Sequence, residues 1–181
     1  MDEPLLFGSR EYGVYALLLL FSRGMDFLST WIATPNLVLE ANPLAKRLRW
    51  KWGILLNVVL CGLFAFWPLP AIIICTTSVL VAARNFQLAW LMRSHGEENY
   101  RDWFLERLEE TPPGLFVFCL LAQTLLTAAV GGVLIYFSGS RTEPLGIGMG
   151  IIAYAVAVTV YTMIALWRNR RAALRRNGVT E

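Results

Sequence analysis

Long apolar stretches separated by short polar words organise this chain, and their lengths decide the reading. A helix crossing a bilayer needs roughly 20 apolar residues. The first such stretch runs from about Tyr12 to Ala33, and the polar segment Thr34 to Lys51 follows it. The next apolar stretch, Trp52 to Met92, is too long for one crossing. Trp67-Pro68-Leu69-Pro70 divides it, because proline lacks a backbone donor and the residue before it avoids helix. A tight hairpin is expected there, with spans at 52–67 and 71–92. Polar residues 93–111 lead to a span at about 113–137, and residues 138–143 turn the chain into a last span at about 144–167. The fold class is therefore all-α: a polytopic transmembrane helical bundle of about five spans forming one integral membrane domain over 1–181. The rival arrangement has four spans, with 52–92 broken inside the bilayer.

Charge orients the bundle. Lys46, Arg47, Arg49 and Lys51 crowd the first loop, and Arg168, Arg170, Arg171, Arg175 and Arg176 crowd the tail. Five spans put both clusters on one side, which the positive-inside rule makes the cytoplasm, N-out and C-in. Trp31, Trp50, Trp52, Trp90 and Trp167 then form an inner interfacial belt, with Trp67 at the outer face. Composition agrees: the chain is 56% hydrophobic with a mean hydropathy of +0.52. The pI of about 8.9 reflects these local clusters, which suit anionic lipid and need no nucleic acid. The expected location is a prokaryotic cytoplasmic (inner) membrane, with lipids as partners and a membrane-protein partner or a homo-oligomer as further candidates. The first apolar segment is too long and too charged for a cleavable signal peptide.

Residues 97–110 predict a cytoplasmic amphipathic helix. Tyr100, Trp103, Phe104, Leu105 and Leu108 share a face at helical spacing. Glu97, Glu98, Asp102, Glu106, Glu109 and Glu110 outnumber Arg101 and Arg107 there, so anionic lipid repels the helix. The basic loop at 46–51 attracts it, and docking under the bundle or on a partner is expected; a solvated acidic face is the plainer alternative.

Candidate chemistry sits in the first span. Taking Asp26 as zero and about 100° per residue, Ser22 falls near −40°, Arg23 near +60°, Ser29 near −60° and Thr30 near +40°. One face thus carries all five, and charged groups at membrane depth must look into a bundle. Asp26 lies roughly 10 Å from the inner end of its span. Arg84 and Asn85 lie at similar depth in the third span, Asn57 is slightly nearer the cytoplasm, and Glu40 and Asn42 lie in the loop beneath. Thr77, Arg84 and Gln87 share a face of their own helix, with Asn85 pointing away from it; Gln123 and Thr124 sit deeper. Asp26 and Glu40, helped by the Asn42 amide oxygen and a Ser29 or Thr30 hydroxyl, are candidate ligands for a divalent cation. Arg23 and Arg84 are candidates to hold a phosphate or carboxylate. The structural alternative is an internal ion pair of Arg23 with Asp26 at i,i+3, and Asn42-Pro43 is equally a helix-start signal.

Other chemistry is bounded more simply. The single histidine, His95, excludes bis-histidine haem ligation and multi-histidine zinc within one chain. Cys61, Cys75 and Cys119 form no C-x-x-C, so neither Fe–S ligation nor a disulfide framework is indicated. Ser9, Ser78 and Ser138 have no histidine partner to make a nucleophile. Small residues at Gly146, Gly150, Ala128 and Gly132 are spaced for close helix packing.

Asp26-x-x-Ser29-Thr30 followed by Glu40-x-Asn42-Pro43 resembles the D-x-x-[ST]-T … E-x-N-P pattern of a family of small bacterial and archaeal polytopic membrane proteins of unknown function. The resemblance covers roughly residues 14–92. It implies that Asp26, Thr30, Glu40 and Asn42 act as a unit and brings no activity with it. Three functions remain open: a binding or transport site for an ion or anionic lipid headgroup, an accessory subunit whose polar face pairs with another membrane protein, and a metal-dependent enzyme on lipid-linked phosphate.

Overall fold

The computed structural model describes residues 3–40 and 43–177, with side chains described outside 43–45 and 168–177. Six helices form: α1 (Arg10–Ala33), α2 (Pro43–Phe64), α3 (Pro68–His95), α4 (Glu97–Glu110), α5 (Pro113–Tyr136) and α6 (Thr142–Asn177). No strand occurs among the described residues.

Local chemistry explains the boundaries. Ser9 caps α1, its hydroxyl accepting from the Tyr12 backbone N–H at 3.1 Å. Pro43, Pro68 and Pro113 stand at the starts of α2, α3 and α5, where a missing N–H leaves no bond unmade. The expected division at Trp67-Pro68 is present: α2 ends at Phe64 and Trp67 caps α3. Helix α2 begins earlier than the apolar pattern implies, because Pro43 starts it inside the polar segment. Arg49 breaks its geometry with φ 56° and ψ −172°, a left-handed backbone that costs a non-glycine residue energy and kinks the helix.

Contacts fix the directions. Arg23 meets Ser78 and Asn85 meets Ser29 and Thr30, so α1 and α3 run parallel. The Tyr12 hydroxyl reaches the Gly62 carbonyl at 3.1 Å while Arg23 meets Asn57, so α2 runs back against α1. Gly146 packs on Ile72 and Gly150 on Thr76, making α6 parallel to α3. Gly131 packs on Gly148 and the Thr124 hydroxyl bonds that of Thr159, making α5 antiparallel to α6. Helix α3 is central, with α1 and α2 on one side and α6 then α5 on the other.

The core is small and the exterior apolar. Leu19, Cys61, Ala65 and Ala71 are buried together against Tyr12, Phe64 and Ile74. Leu125, Leu126, Phe118 and Trp90 are each 68–71% exposed. Helices α1, α3, α5 and the Thr142–Trp167 part of α6 are long and apolar enough to cross a membrane. Five such spans were expected. Helix α2 falls short because Arg47, Arg49 and Lys51 occupy its early turns and Phe64 ends it. Since α1, α3 and α6 are parallel, the exposed Trp31, Trp90 and Trp167 gather at one end of the bundle, the end that also holds the 34–40 loop and α4. At the other end Phe7, Tyr12, Phe66 and Trp67 form a chain of ring contacts with centroids 4.9–6.3 Å apart.

Candidate functional site

The polar face of α1 is covered by α2 and α3. Tyr12, Tyr15, Leu19, Ser22, Asp26, Ser29 and Ala33 recur every three or four residues along α1. On α3 the facing row is Ala71, Cys75, Ser78, Ala82, Asn85 and Ala89, at the same alternation of three and four. Of these, Leu19, Ser22, Ser29 and Ala33 on α1 and Ala71, Ser78, Ala82 and Ala89 on α3 are buried.

Arg23 organises the middle of this seam. Its Nε donates to Asn57 Oδ1 at 2.7 Å, and its Nη1 donates to Asp26 Oδ2 at 2.7 Å and to Ser78 Oγ at 3.1 Å. Its guanidinium carbon lies 5.8 Å from the centre of the Phe27 ring. Asn57 is held in turn by donating to the Gly53 carbonyl at 2.8 Å. One guanidinium therefore ties three helices together, and the i,i+3 pairing with Asp26 is present as an internal ion pair. Below it, Asn85 Nδ2 donates to Thr30 Oγ1 at 3.1 Å and Ser29 Oγ at 3.3 Å, while Ser29 donates to the Asp26 carbonyl at 2.8 Å.

The remaining candidates separate. Arg84 is half-buried and makes no hydrogen bond or ion pair among the described residues; its charge reaches the Tyr100 hydroxyl of α4. Gln87 is exposed and makes no hydrogen bond among the described residues. Thr77, Arg84 and Gln87 lie on one continuous helix, and Thr77 meets α6, its hydroxyl donating to the Gly150 carbonyl at 3.1 Å. Glu40 is half-buried, and its charge acts on Asp26 from the loop. Asn42 lies outside the described residues. Thr124 bonds Thr159 of α6, and Gln123 is exposed. Among the described residues, no three of His, Cys, Asp or Glu gather as a metal set.

Two residues carry contacts that their local sequence does not assign to them. Ser78, without a histidine to make it a nucleophile, is the α3 group that meets Arg23. Its seven-residue spacing from Asn85 was the available signal. Glu97 was counted as one acid among many on α4. Its carboxylate accepts from the Thr34 hydroxyl, from the Asn36 backbone and side-chain amides at 2.9 Å each, and from the Val38 backbone N–H at 3.0 Å. Partial burial pushes the Glu97 carboxyl up, but the hydrogen bonds from Thr34, Asn36 and Val38 outweigh it and hold the group below its ordinary value. The α4 helix is thus fastened to the 34–38 loop by neutral donors, where attraction by the basic residues 46–51 was expected. Nothing local in the sequence marks a loop 59–63 residues away as its partner. Burial pushes the Tyr100 hydroxyl above its ordinary value, and the Arg84 charge offsets part of this.

A cavity of about 140 Å³ opens between α1, α2 and α3. Leu19, Leu60, Cys61, Phe64 and Ile74 wall it, and Arg23 and Asn57 supply its polar end. Arg23 is the one charged residue in this lining. Among the described residues its Nη2 donates no hydrogen bond, so two guanidinium N–H groups are uncommitted.

Set against known proteins, the chain matches no family model, no curated protein and no solved structure. The likeness to the D-x-x-[ST]-T … E-x-N-P pattern rests on those letters alone, and function must be argued from the site. That site offers a guanidinium with one free edge beside an apolar wall. Such a group binds oxyanions, because its N–H fork matches carboxylate and phosphate geometry.

Proposed function

We propose that this chain is an integral membrane protein of five crossings, N-out and C-in, in a prokaryotic inner membrane, and that it binds an oxyanion at Arg23. Arg23 lines the 140 Å³ cavity and its Nη2 makes no hydrogen bond among the described residues; together these observations carry the binding reading. The phosphate or carboxylate of a lipid headgroup, or of a small apolar acid, has the matching chemistry. The apolar wall of Leu60, Phe64 and Ile74 favours a ligand with hydrocarbon beside its charge.

Parallel packing of α1 and α3 supports the fifth crossing. If both cross in the same direction, the chain between them must return through the bilayer, and α2 is the segment that does so. After Arg49 its helix runs over 50–64, roughly 22 Å at 1.5 Å per residue, and residues 65–67 extend the path. Lys51 can snorkel to the interface from the start of that run. The tryptophans at the α4 end and the basic residues of the first loop favour that end as cytoplasmic.

The alternatives lack comparable support. An accessory subunit pairing through the α1 polar face needs that face free, and α2 and α3 occupy it. A metal enzyme needs Asp26 available, and Arg23 holds its Oδ2.

Leu60→Trp tests the binding reading, because it fills the cavity without touching the ion pair. Wild type purified in mild detergent should carry a phosphate- or carboxylate-bearing adduct by native mass spectrometry. The variant should lose that adduct at unchanged thermal stability. Identical adducts on both proteins, or none on either, would reject an oxyanion site here.

A further inference from the structure

Gln123 presents a polar group that nothing among the described residues satisfies. It is exposed and makes no hydrogen bond among the described residues. Its neighbour Thr124 bonds Thr159, which fixes the α6-facing side of α5, and Gln123 lies about 100° round from it. Its surface neighbours Cys119, Leu126 and Val130 are exposed and offer no strong partner, and the half-buried Thr127 one turn on makes no hydrogen bond with it among the described residues.

Depth makes this costly. Gln123 is the eleventh residue of the 24 in α5, so it lies about 15 Å from the helix start, near the middle of a hydrocarbon core about 30 Å thick. Lipid tails provide neither donor nor acceptor, and the side chain is too short to bring its amide to an interface. An uncharged amide that both donates and accepts is self-complementary. Two parallel α5 helices related by a twofold axis along the membrane normal would set one Gln123 amide against the other, each donating to its partner. No Asp, Glu, Lys or Arg occurs in Pro113–Tyr136, so this surface carries no charge that would select a different protein.

We propose that this chain forms a homodimer through the exposed side of α5, with Gln123 hydrogen-bonded to Gln123 of a second copy at mid-bilayer. The proposal rests on the membrane reading of α5 and is independent of the oxyanion site at Arg23. It gives the exposed apolar side chains around Gln123 a protein neighbour in place of lipid.

Cys119, one turn away and exposed, is a native reporter, whereas Cys61 is buried. The experiment is copper-phenanthroline oxidation of wild-type membranes, with Cys119→Ser as the control, followed by the same oxidation of Gln123→Leu and Gln123→Asn. Wild type should give a dimer band that Cys119→Ser abolishes. Gln123→Leu should cut dimerisation at least about three-fold, the scale of an interhelical hydrogen bond in lipid, while Gln123→Asn retains most of it. Leucine suits a lipid-facing site, so the Gln123→Leu monomer should keep its melting temperature. Carbonate-resistant protein without a Cys119-dependent dimer would overturn the proposal and leave the membrane reading standing. A dimer equally strong in Gln123→Leu would overturn it too, and release of the chain by carbonate would overturn both.

Discussion

The α1–α3 seam and the α5–α6 seam solve the same problem by opposite means. Between α1 and α3, side chains meet: Arg23 with Ser78, Asn85 with Ser29 and Thr30, around small buried residues. Between α5 and α6, backbones meet. A Cβ on Gly131 would stand 2.6 Å from the Gly148 carbonyl oxygen, and a Cβ on Gly148 would stand 2.6 Å from that of Gly131. Lipid removes most of the hydrophobic drive between helices, leaving close packing and polar contacts to hold them. The first seam uses polar contacts and keeps a charge inside the protein. The second relies on close backbone packing, with a single hydroxyl contact between Thr124 and Thr159 among the described residues, and carries no charge. The first borders a cavity that Arg23 helps to line, which is why the binding proposal lies there.

The largest expected effect breaks the polar seam. Arg23→Leu leaves Asp26 partly buried without its cation and should cost about 3–5 kcal/mol. Arg23→Leu combined with Asp26→Leu should recover most of that loss, since neither charge remains. Unfolding in SDS–detergent mixtures measures both, and a double variant as unstable as the single one would show that the pair is not the unit that matters.

A substitution in the other seam should cost somewhat less. Gly148→Ala forces α5 and α6 apart and should cost about 1–3 kcal/mol. Gly132→Ala is the matched control, because a Cβ there meets nothing within 4 Å, and it should be near neutral. If the two alanine variants melt together, backbone contact is not what joins α5 to α6.

Smaller still is Asn85→Ala, which removes two hydroxyl contacts from the α1–α3 seam and leaves Arg23 in place. A loss of about 0.6 kcal/mol, and no more than about 1.7, is expected in the same assay. A loss on the Arg23 scale would mean that Asn85 supports the whole site.

The smallest effect lies outside both seams. The Glu97 carboxyl is held below its ordinary value, so its clasp on the loop is complete above the ordinary carboxylate range. The clasp weakens as pH falls through the depressed value. Amide exchange at Asn36 and Val38, corrected for intrinsic pH dependence, should speed up on acidification, and Glu97→Gln should already show faster exchange at neutral pH. Exchange unchanged in both conditions would mean that the loop is held by Trp50 on Pro35 and Lys46 on Val38 instead.

Several features were legible because they are local. The five polar residues of α1 fall on one face by helical arithmetic alone, and Trp67-Pro68 separates two helices because proline cannot continue the first. Glu97–Glu110 is found as the surface helix that its spacing predicts. Helix α2 was harder, since Pro43 and Arg49 set its start and its kink within a polar segment where apolar periodicity is silent.

Sequence by itself determined the helices, the apolar exterior and the polar face of α1, because each depends on residues within a few turns of one another. Only the tertiary structure decided what that face meets. Ser78 and Asn85 meet it, whereas Gln87 is exposed and Thr77 turns to α6. The same packing left Arg23 with one free edge, fastened Glu97 to a loop far away in the chain, and left Gln123 facing outward. The physical reason is that a helix sequence specifies which side chains share a surface, but lipid and a neighbouring helix are nearly equivalent solvents for apolar groups. Which surface is covered then depends on shape fit between distant segments, and no periodicity within one segment records that.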